Sequence, residues 1–512
     1  MMIPQIKSDR GLPTLYVKGE PFFALAGELH NSSSSSLEYM ERQVWPNLQG
    51  MNLNTVLLPI SWETIEPREG EYDFTLVDGL IRQAREAQMH LVFLWFGLWK
   101  NGESMYVPQW MKEDGRKYFR ARKVNGEPLN TISPLCQAAV EKDAEAFSRV
   151  MAHIREMDQE ESTVIFIQVE NEIGLLGTAR DYSSEANEAF EGQVPELLAT
   201  EYGRTGTWRE VFGEQAEEAF MAYAYAAAVE TITRAGQKEY PLPCYANAWL
   251  YQYPWYPGSY PSGGPVAGVH WIWKCAAPSL FALAPDIYVP YVAQVMDEYG
   301  YEGNPLVVPE VRKDSVTASY CLYAFGKHNA ICYSPFGIEE LALNPEDIEK
   351  PPMEVMAALN IDPSAMDITG SKEYLKAVYG LVEQAKPLLL SYRGTGHLKS
   401  FVRHSETDYG TLLSFEQYNL QVAYGPRQPA KPLAAGIVLE TGPNEFILMG
   451  MMCSFTFMPK AGENMKAELL RMEEGTFVQG QWSAGRILNG DEKMSIKCGD
   501  LLQCYRLKLF KY

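Results

Sequence analysis

The segment 164–174, VIFIQVENEIG, is an apolar run that ends in two carboxylates. Its first six residues, VIFIQV, are mostly β-branched or aromatic, which is typical of a strand buried on both faces of a parallel sheet. Glu170, Asn171 and Glu172 follow directly. In barrels built from such strands the carboxyl ends meet at one face, where catalytic groups collect. The segment therefore predicts a functional residue at the mouth of a barrel.

Seven other apolar runs alternate with longer amphipathic segments, as expected of parallel strands joined by crossover helices. The eight predicted strands are FFALAG (22–27), TVLLP (55–59), LVFLWF (91–96), VIFIQV (164–169), PCYANA (243–248), DIYVP (286–290), PLVVPE (305–310) and AICYSP (330–335). Eight such units over roughly 390 residues predict a (β/α)8 TIM barrel with inserted loops. Its last helix is predicted at 371–390.

The pattern changes at about residue 395, where short β-rich runs separated by Gly, Pro and Asn turn signals begin. Closely spaced strands of this kind are typical of antiparallel sheets. We therefore predict a catalytic barrel over residues 1–394 and a small, sandwich-like antiparallel β-domain over 395–512.

The amino-acid composition limits the classes of partner that this chain is expected to bind. It has 512 residues with 65 acidic and 44 basic side chains, a net charge of −21. Such a balance repels nucleic acid and anionic membranes. The opening residues show no secretory pattern, which predicts a cytoplasmic protein. The eight scattered cysteines predict buried reduced thiols and no structural metal; homo-oligomer formation is left open.

A second glutamate occupies a position equivalent to that of Glu172. Glu310 follows LVVP at the end of the seventh predicted strand, so the two carboxylates face the barrel mouth from nearly opposite sides. Glycoside hydrolysis uses such a pair: one carboxylic acid donates its proton to the leaving oxygen, and the other, as a carboxylate, attacks the anomeric carbon. The pair predicts a glycosidase that needs no cofactor.

The residues around this pair resemble clan A of the glycoside hydrolases, and more closely the β-galactosidases of family 35 in the branch with an added C-terminal β-domain. The stretches that carry the resemblance are GELHNSS (27–33), LPISWETIEPREGEYDF (58–74), LVFLWFGLWKNGESMYVPQW (91–110), IQVENEIG (167–174), APDIYVP (284–290), VVPEVR (307–312) and YSPFGIE (333–339). By this resemblance Glu172 is the acid/base, Glu310 is the nucleophile, Asn171 contacts the sugar 2-hydroxyl, and Tyr288 hydrogen-bonds the nucleophile.

Three tryptophans near strand ends, Trp95, Trp99 and Trp249, are candidate platforms on which a sugar could stack, with plain packing as the alternative. Lys100 follows the third strand and is a candidate contact to substrate hydroxyls, or part of a solvated turn. Glu170 points away from Asn171 by the two-residue period of a strand and is expected to be structural.

Three further candidates adjoin the first and seventh strands. His30 and Asn31 follow the first strand. Because no second histidine lies nearby to complete a metal pair, we expect His30 to hydrogen-bond the sugar or the acid network. Arg312 lies two residues beyond Glu310 and is expected either to lower the pKa of a carboxyl or to cap the sheet.

The predicted function is a retaining, exo-acting β-glycosidase, first of all a β-galactosidase, acting on a small carbohydrate. Other sugars stay open, because strand two reads VLLP and strand three continues as FGLWKNG. The resembling galactosidases carry a tyrosine and an Ala-Glu-Trp run at those places. β-Glucosides, β-fucosides and α-L-arabinopyranosides are the alternatives, and a third hypothesis is a carbohydrate-binding barrel without catalysis.

Overall fold

The computed structural model describes residues 2–349, 351–460 and 465–512. Eight parallel strands close into a barrel in which each strand pairs with the next and the last pairs with the first. In chain order they are β1 Ala24–Glu28, β2 Thr55–Ser61, β3 His90–Lys100, β4 Val164–Asn171, β5 Cys244–Trp249, β6 Leu280–Ile287, β7 Val307–Val311 and β8 Cys332–Pro335. The predicted (β/α)8 barrel is confirmed.

Helices surround the barrel and connect consecutive strands. The longer ones are Thr75–Glu86, Gln137–Asp158, Ala216–Glu239, His270–Ala276, Val292–Tyr299, Thr317–Lys327 and Ser371–Tyr392. Shorter helices are Leu37–Tyr39, Trp45–Leu48, Trp62–Ile65, Gln109–Glu113, Ser184–Glu191, Glu196–Tyr202, Trp208–Phe212 and Met353–Ala358, with a π-helical turn at Met40–Val44. The helix predicted at 371–390 extends two residues further, to Tyr392. Within the described ranges no helix has the length and apolar character needed to cross a membrane.

An inner layer of apolar side chains fills the barrel. The inner layer is built from side chains such as Ala26, Leu57, Val92 and Leu94, and Leu15 of the N-terminal sheet joins it. That sheet has three strands, Gln5–Asp9, Leu12–Val17 and Glu20–Phe22. Since its apolar residues join the inner layer, it closes the barrel opposite the carboxyl ends of the strands, and the mouth at those ends stays accessible.

Strand β6 begins six residues before its predicted start, at Leu280 rather than Asp286. The segment LFALAP contains two alanines and a proline, which are weak strand formers, so its residue pattern is a weak strand signal. The strand ends at Ile287, which places Asp286 near its carboxyl end and Tyr288 just beyond it. Asp286 is in register with Glu310 on β7.

The C-terminal region is antiparallel, as predicted. One sheet has six strands, Leu398–Val402, Ala435–Gly442, Glu445–Met451, Gln503–Lys511, Ala467–Val478 and Gln481–Ile487. The other has four strands, Gly410–Ser414, Tyr418–Tyr424, Cys453–Pro459 and Ile496–Cys498. Rings such as Phe446 and Phe457, 4.7 Å apart between centroids, belong to a second apolar core in this region.

The six-stranded sheet lies against the barrel helix Thr317–Lys327. The Ser319 hydroxyl donates to the Leu433 carbonyl at 3.0 Å and accepts from the Leu433 N–H at 2.9 Å. Gly326 allows close approach, because a Cβ there would lie 2.7 Å from Ser400. All eight cysteines are unpaired, as predicted from their spacing.

Candidate active site

Glu172 is turned into the barrel mouth by an unusual backbone at the end of β4. Glu170 and Glu172 have φ values of 62° and 45°, a left-handed conformation that costs energy for any residue other than glycine. The Glu172 N–H donates to Oδ1 of Asn247 on β5 at 2.9 Å, which holds this turn in place. Strained backbone that neighbouring groups hold in place is found most often at functional sites.

Glu310 lies at the barrel mouth on strand β7 and is 6% exposed. The Tyr288 hydroxyl donates to its Oε2 at 2.7 Å. Burial and the nearby Glu310 carboxylate raise the pKa of Tyr288 well above its usual value, so the phenol keeps its proton. The contact expected between Tyr288 and the second glutamate is therefore present.

The two predicted carboxylates are brought together with a third. Glu172, Asp286 and Glu310 each offer one oxygen, and these oxygens lie within 4.8 Å of one another. Burial, and next the charge of Glu310, raise the pKa of Glu172 to about 7. The same two causes raise the pKa of Asp286 well above its usual value. At neutral pH the cluster therefore retains protons, and its carboxyl groups are not all charged.

Three polar residues of the site were missed from the sequence: Glu28, Asn247 and Asp286. Asn247 links the site, because its Nδ2 donates to Oδ2 of Asp286 at 2.7 Å while its Oδ1 accepts from Glu172. Glu28 is 1% exposed, and burial followed by the charge of Glu310 raises its pKa well above the usual value. All three lie at or next to the carboxyl ends of strands, so the rule that identified Glu172 applies to them too.

A cavity of about 180 Å³ opens above these carboxylates. Six of the predicted site residues line it: Asn31, Lys100, Glu172, Trp249, Tyr288 and Glu310. Asn171 is fully buried, with its Oδ1 accepting from Gln168 Nε2 at 2.9 Å and its Nδ2 donating to Asn101 at 3.3 Å. The structure thus gathers most of the residues that the strand-end argument selected.

Trp95 and Trp99 are corrections to the sequence interpretation. Both are fully buried and neither borders the cavity. The Trp95 indole donates to Asp143 at 2.7 Å, and the Trp99 indole donates to the Ile132 carbonyl at 2.9 Å. Because both rings are enclosed by protein, no sugar can stack on them. Of the three tryptophans only Trp249 lies where substrate could reach it.

Glu170 is structural, as predicted, and supports the end of β3. Its carboxyl accepts the N–H groups of Leu98 at 3.2 Å and Trp99 at 2.6 Å. Asp143 of the helix Gln137–Asp158 accepts from Leu98 as well, at 2.9 Å. These bonds fix the irregular register between β3 and β4, just before Lys100.

His30 and Arg312 are bound to carboxylates outside the catalytic cluster. Nε2 of His30 lies 2.8 Å from Oε1 of Glu340, which also pairs with Lys313. Arg312 forms ion pairs with Asp314 at 2.7 Å and with Asp362 at 2.8 Å. Burial acts to raise the pKa of Asp362, but the charge of Arg312 outweighs it and the pKa is lowered. Arg312 therefore lowers the pKa of a carboxyl, one of its two expected roles, but this carboxyl belongs to the segment 362–364 and not to the cluster. His30 was expected to hydrogen-bond the sugar or the acid network, whereas the structure pairs it with Glu340, outside that network.

A cation could be placed between Glu172, Asp286 and Glu310, since hard divalent ions prefer carboxylate oxygens. These oxygens include those of both predicted catalytic residues. A bound cation would therefore occupy the oxygen lone pairs that glycoside hydrolysis by this pair would need.

Comparison with known families agrees with this geometry. Residues 14–247, which include β1 to β5, match the model of the glycosyl hydrolases family 35. Residues 375–497 match a domain of unknown function, DUF5597, which begins within the helix Ser371–Tyr392 and extends over most of the antiparallel sheets. The resemblance predicted from the sequence is confirmed, and the family 35 match supports a glycoside hydrolase.

Solved structures show the same fold. A β-galactosidase from Bacillus circulans sp. alkalophilus superposes with a TM-score of 0.52 at 9% identity, over 94% of this chain and 98% of that one. The catalytic domain of a β-amylase from Paenibacillus polymyxa gives 0.49 at 12% identity, over 69% and 96%. A β-galactosidase from Rahnella sp. R3 gives 0.45 at 14% identity, over 61% of this chain and 50% of that one. None of the curated proteins matches this sequence.

Proposed function

We propose that this chain is a retaining, exo-acting β-glycosidase in which Glu172 is the acid/base and Glu310 the nucleophile. The observation that carries the proposal is the closeness of the two carboxylates, together with the raised pKa of Glu172. Retaining enzymes place these groups ~5–5.5 Å apart, whereas inverting enzymes need ~6.5–9.5 Å. The 4.8 Å bound on the oxygens of Glu172 and Glu310 supports retention.

Each step has a residue suited to it. With a pKa of about 7, Glu172 carries a proton at neutral and lower pH and gives it to the leaving oxygen. Glu310, held by the Tyr288 hydroxyl at 2.7 Å, attacks the anomeric carbon and forms the glycosyl–enzyme ester. Glu172 then takes a proton from water, and the resulting hydroxide displaces Glu310 from the sugar.

The form of the cavity supports removal of single terminal sugars. Its volume is about 180 Å³, and its floor is formed by the buried ends of the barrel strands. A cavity this small suits a single terminal sugar better than the middle of a polymer. Galactose is our first choice of sugar, on the strength of the family resemblance, with glucose, fucose and arabinopyranose as alternatives.

The test is hydrolysis of aryl β-D-galactoside, glucoside, fucoside, xyloside and mannoside and of the α-L-arabinopyranoside. Wild type is compared with Glu172→Gln, Glu310→Gln and the control Glu302→Gln, which removes an exposed carboxylate in the loop before β7. We expect hydrolysis by wild type and control and none by Glu310→Gln. The anomer first released, followed by proton NMR, should match that of the substrate. Full activity of Glu310→Gln would remove that residue from the mechanism.

A further inference from the structure

Six apolar side chains line part of the cavity above the carboxylates. This apolar wall consists of Leu250, Val289, Phe336, Leu359, Ile361 and Met366. Three of these residues follow β5, β6 and β8, and the other three come from the segment 359–366. The rest of the lining includes Asn31, Lys100, Asn101 and the carboxylates. The lining is therefore divided between a polar and an apolar set of side chains.

The two polar side chains beside the apolar wall are already engaged. Oε1 of Gln252 accepts from the Trp249 indole at 3.1 Å, and its Nε2 donates to the Ser259 carbonyl at 3.2 Å. The Asn360 side chain hydrogen-bonds Tyr291. Each of these two side chains thus already has a partner within the protein.

A sugar placed against the apolar wall would lose water from its hydroxyls without gaining partners. A buried hydroxyl that makes no hydrogen bond is destabilised, because it has lost its bonds to water. A flat hydrocarbon ring has no such cost and gains from burial. Resting on the proposed glycosidase function, we propose that the apolar wall binds the aglycone and selects β-glycosides of aromatic alcohols over disaccharides.

Leu250 extends this preference outward, since it also lines a second cavity of about 240 Å³. Tyr251 and Trp255, whose rings stack 5.1 Å apart, border that second cavity. A substituent on the aromatic aglycone therefore continues along carbon surfaces once it passes Leu250.

Binding of thioglycosides tests the inference without depending on turnover or on leaving-group chemistry. Calorimetry would compare phenyl 1-thio-β-D-galactoside, methyl 1-thio-β-D-galactoside and a thio-linked disaccharide, each built on the sugar that the hydrolysis panel selects. We expect wild type to bind the phenyl compound on the order of tenfold more tightly than either of the others. The double variant Ile361→Ser, Met366→Ser should lose this preference and keep its affinity for the methyl compound.

The control is Val355→Ser, which alters an apolar residue of the neighbouring helix that does not line the cavity and is 45% exposed. Equal binding of the three compounds by wild type, or tighter binding of the disaccharide, would overturn the inference. So would a phenyl preference that survives in a folded double variant. If the double variant does not fold, the single variant Ile361→Ser is measured in its place, and its binding of the three compounds is compared with that of wild type. Failure of the proposed function would show separately, as an absence of hydrolysis in the panel.

Discussion

The Tyr288 hydroxyl donates a 2.7 Å hydrogen bond to Oε2 of Glu310, from a residue just beyond β6 to the adjacent strand β7. Asp286 and Glu310 are paired in the sheet, so the register of these two strands sets where the hydroxyl reaches the carboxylate. The bond engages Oε2 of Glu310 and restricts rotation of its carboxylate. A nucleophile held in one orientation starts closer to its attack geometry.

Replacement of Tyr288 by Phe removes this bond and keeps the ring. We expect kcat to fall roughly 10- to 100-fold with a smaller change in KM, because the lost contact positions the attacking group. Steady-state kinetics on the best aryl glycoside measures this. Tyr301→Phe is the matched control, since its hydroxyl bonds His270 and lies outside the cavity lining. Equal kinetics for Tyr288→Phe and wild type would contradict the assigned role.

The pH dependence should show the proton on Glu172. Its pKa is about 7, raised first by burial and then by Glu310, while the positive charge of Lys100 opposes the shift. Because the acid must be protonated to act, kcat/KM should decline as the pH rises through about 7. Lys100→Met removes the opposing charge, so the alkaline limb should move to higher pH, whatever happens to the maximum rate.

Lys112→Met provides a comparison for that pH profile. Lys112 pairs with Glu63 at 3.0 Å and does not line the cavity, so its loss should leave the limb in place. A limb that stays at the wild-type pH in Lys100→Met, or moves to lower pH, would be inconsistent with Glu172 as the titrating acid.

Asn247 hydrogen-bonds both Glu172 and Asp286, so its replacement should lower both the stability of the protein and its kcat. Asn247→Ala leaves the Glu172 N–H and Oδ2 of Asp286 without their present partner. We expect a stability loss of about 1–3 kcal/mol per group left unpaired and a kcat reduced roughly 10- to 100-fold as Glu172 is displaced. Denaturation midpoints and kinetics on the folded protein measure the two effects.

Asn304→Ala separates these effects. Asn304 is fully buried and bonds Leu283 and Tyr299, away from the cavity lining. This variant should lose stability while its folded fraction keeps the wild-type kcat. If Asn247→Ala behaves in the same way, Asn247 supports the fold and does not position the acid.

The barrel, and the meeting of Glu172 and Glu310 at its mouth, could be predicted because buried parallel strands leave long apolar runs that end in polar residues. The tryptophans were harder to place. Leu94 and Phe96 belong to the inner layer of the barrel, while Trp95 between them faces the helices. Strand alternation could have placed Trp95 outward. Strand alternation does not predict the orientation of Trp99, because the register between β3 and β4 is irregular beyond Trp95.

The partners of Arg312 could not be read from local sequence either. Asp314 is near in the chain, but Asp362 lies fifty residues further on, and only the folded chain brings its carboxylate to within 2.8 Å of the guanidinium. The apolar wall has the same origin, since Leu250 and Ile361 meet only around the closed cavity. Contacts of this kind depend on loop conformation, which hydrophobic periodicity does not encode.

Arg312 ties β7 to the segment that forms part of the apolar wall. Its side chain is 1% exposed and bonds Asp314, Asp362 and Ser364, while the Asp362 N–H donates to the Tyr288 carbonyl at 3.0 Å. Arg312→Met leaves the buried carboxylate of Asp314 and the partly buried one of Asp362 without their partner, and loss of one partner of a buried pair typically costs about 3–5 kcal/mol. The neighbouring residues Ile361 and Met366 should then lose their fixed positions. We expect KM for aryl glycosides to rise more than kcat falls.

Arg393→Met is the matched control for this last prediction. Arg393 is also buried and pairs with Asp9 at 2.6 Å, but Asp9 belongs to the N-terminal sheet, whose apolar residues close the opposite end of the barrel. Thermal midpoints should fall in both variants, because each leaves a partly buried carboxylate unpaired. KM should rise only in Arg312→Met. A rise of KM in both variants would point to general loosening of the barrel, and an unchanged KM in Arg312→Met would show that the segment 362–364 keeps its place without the guanidinium.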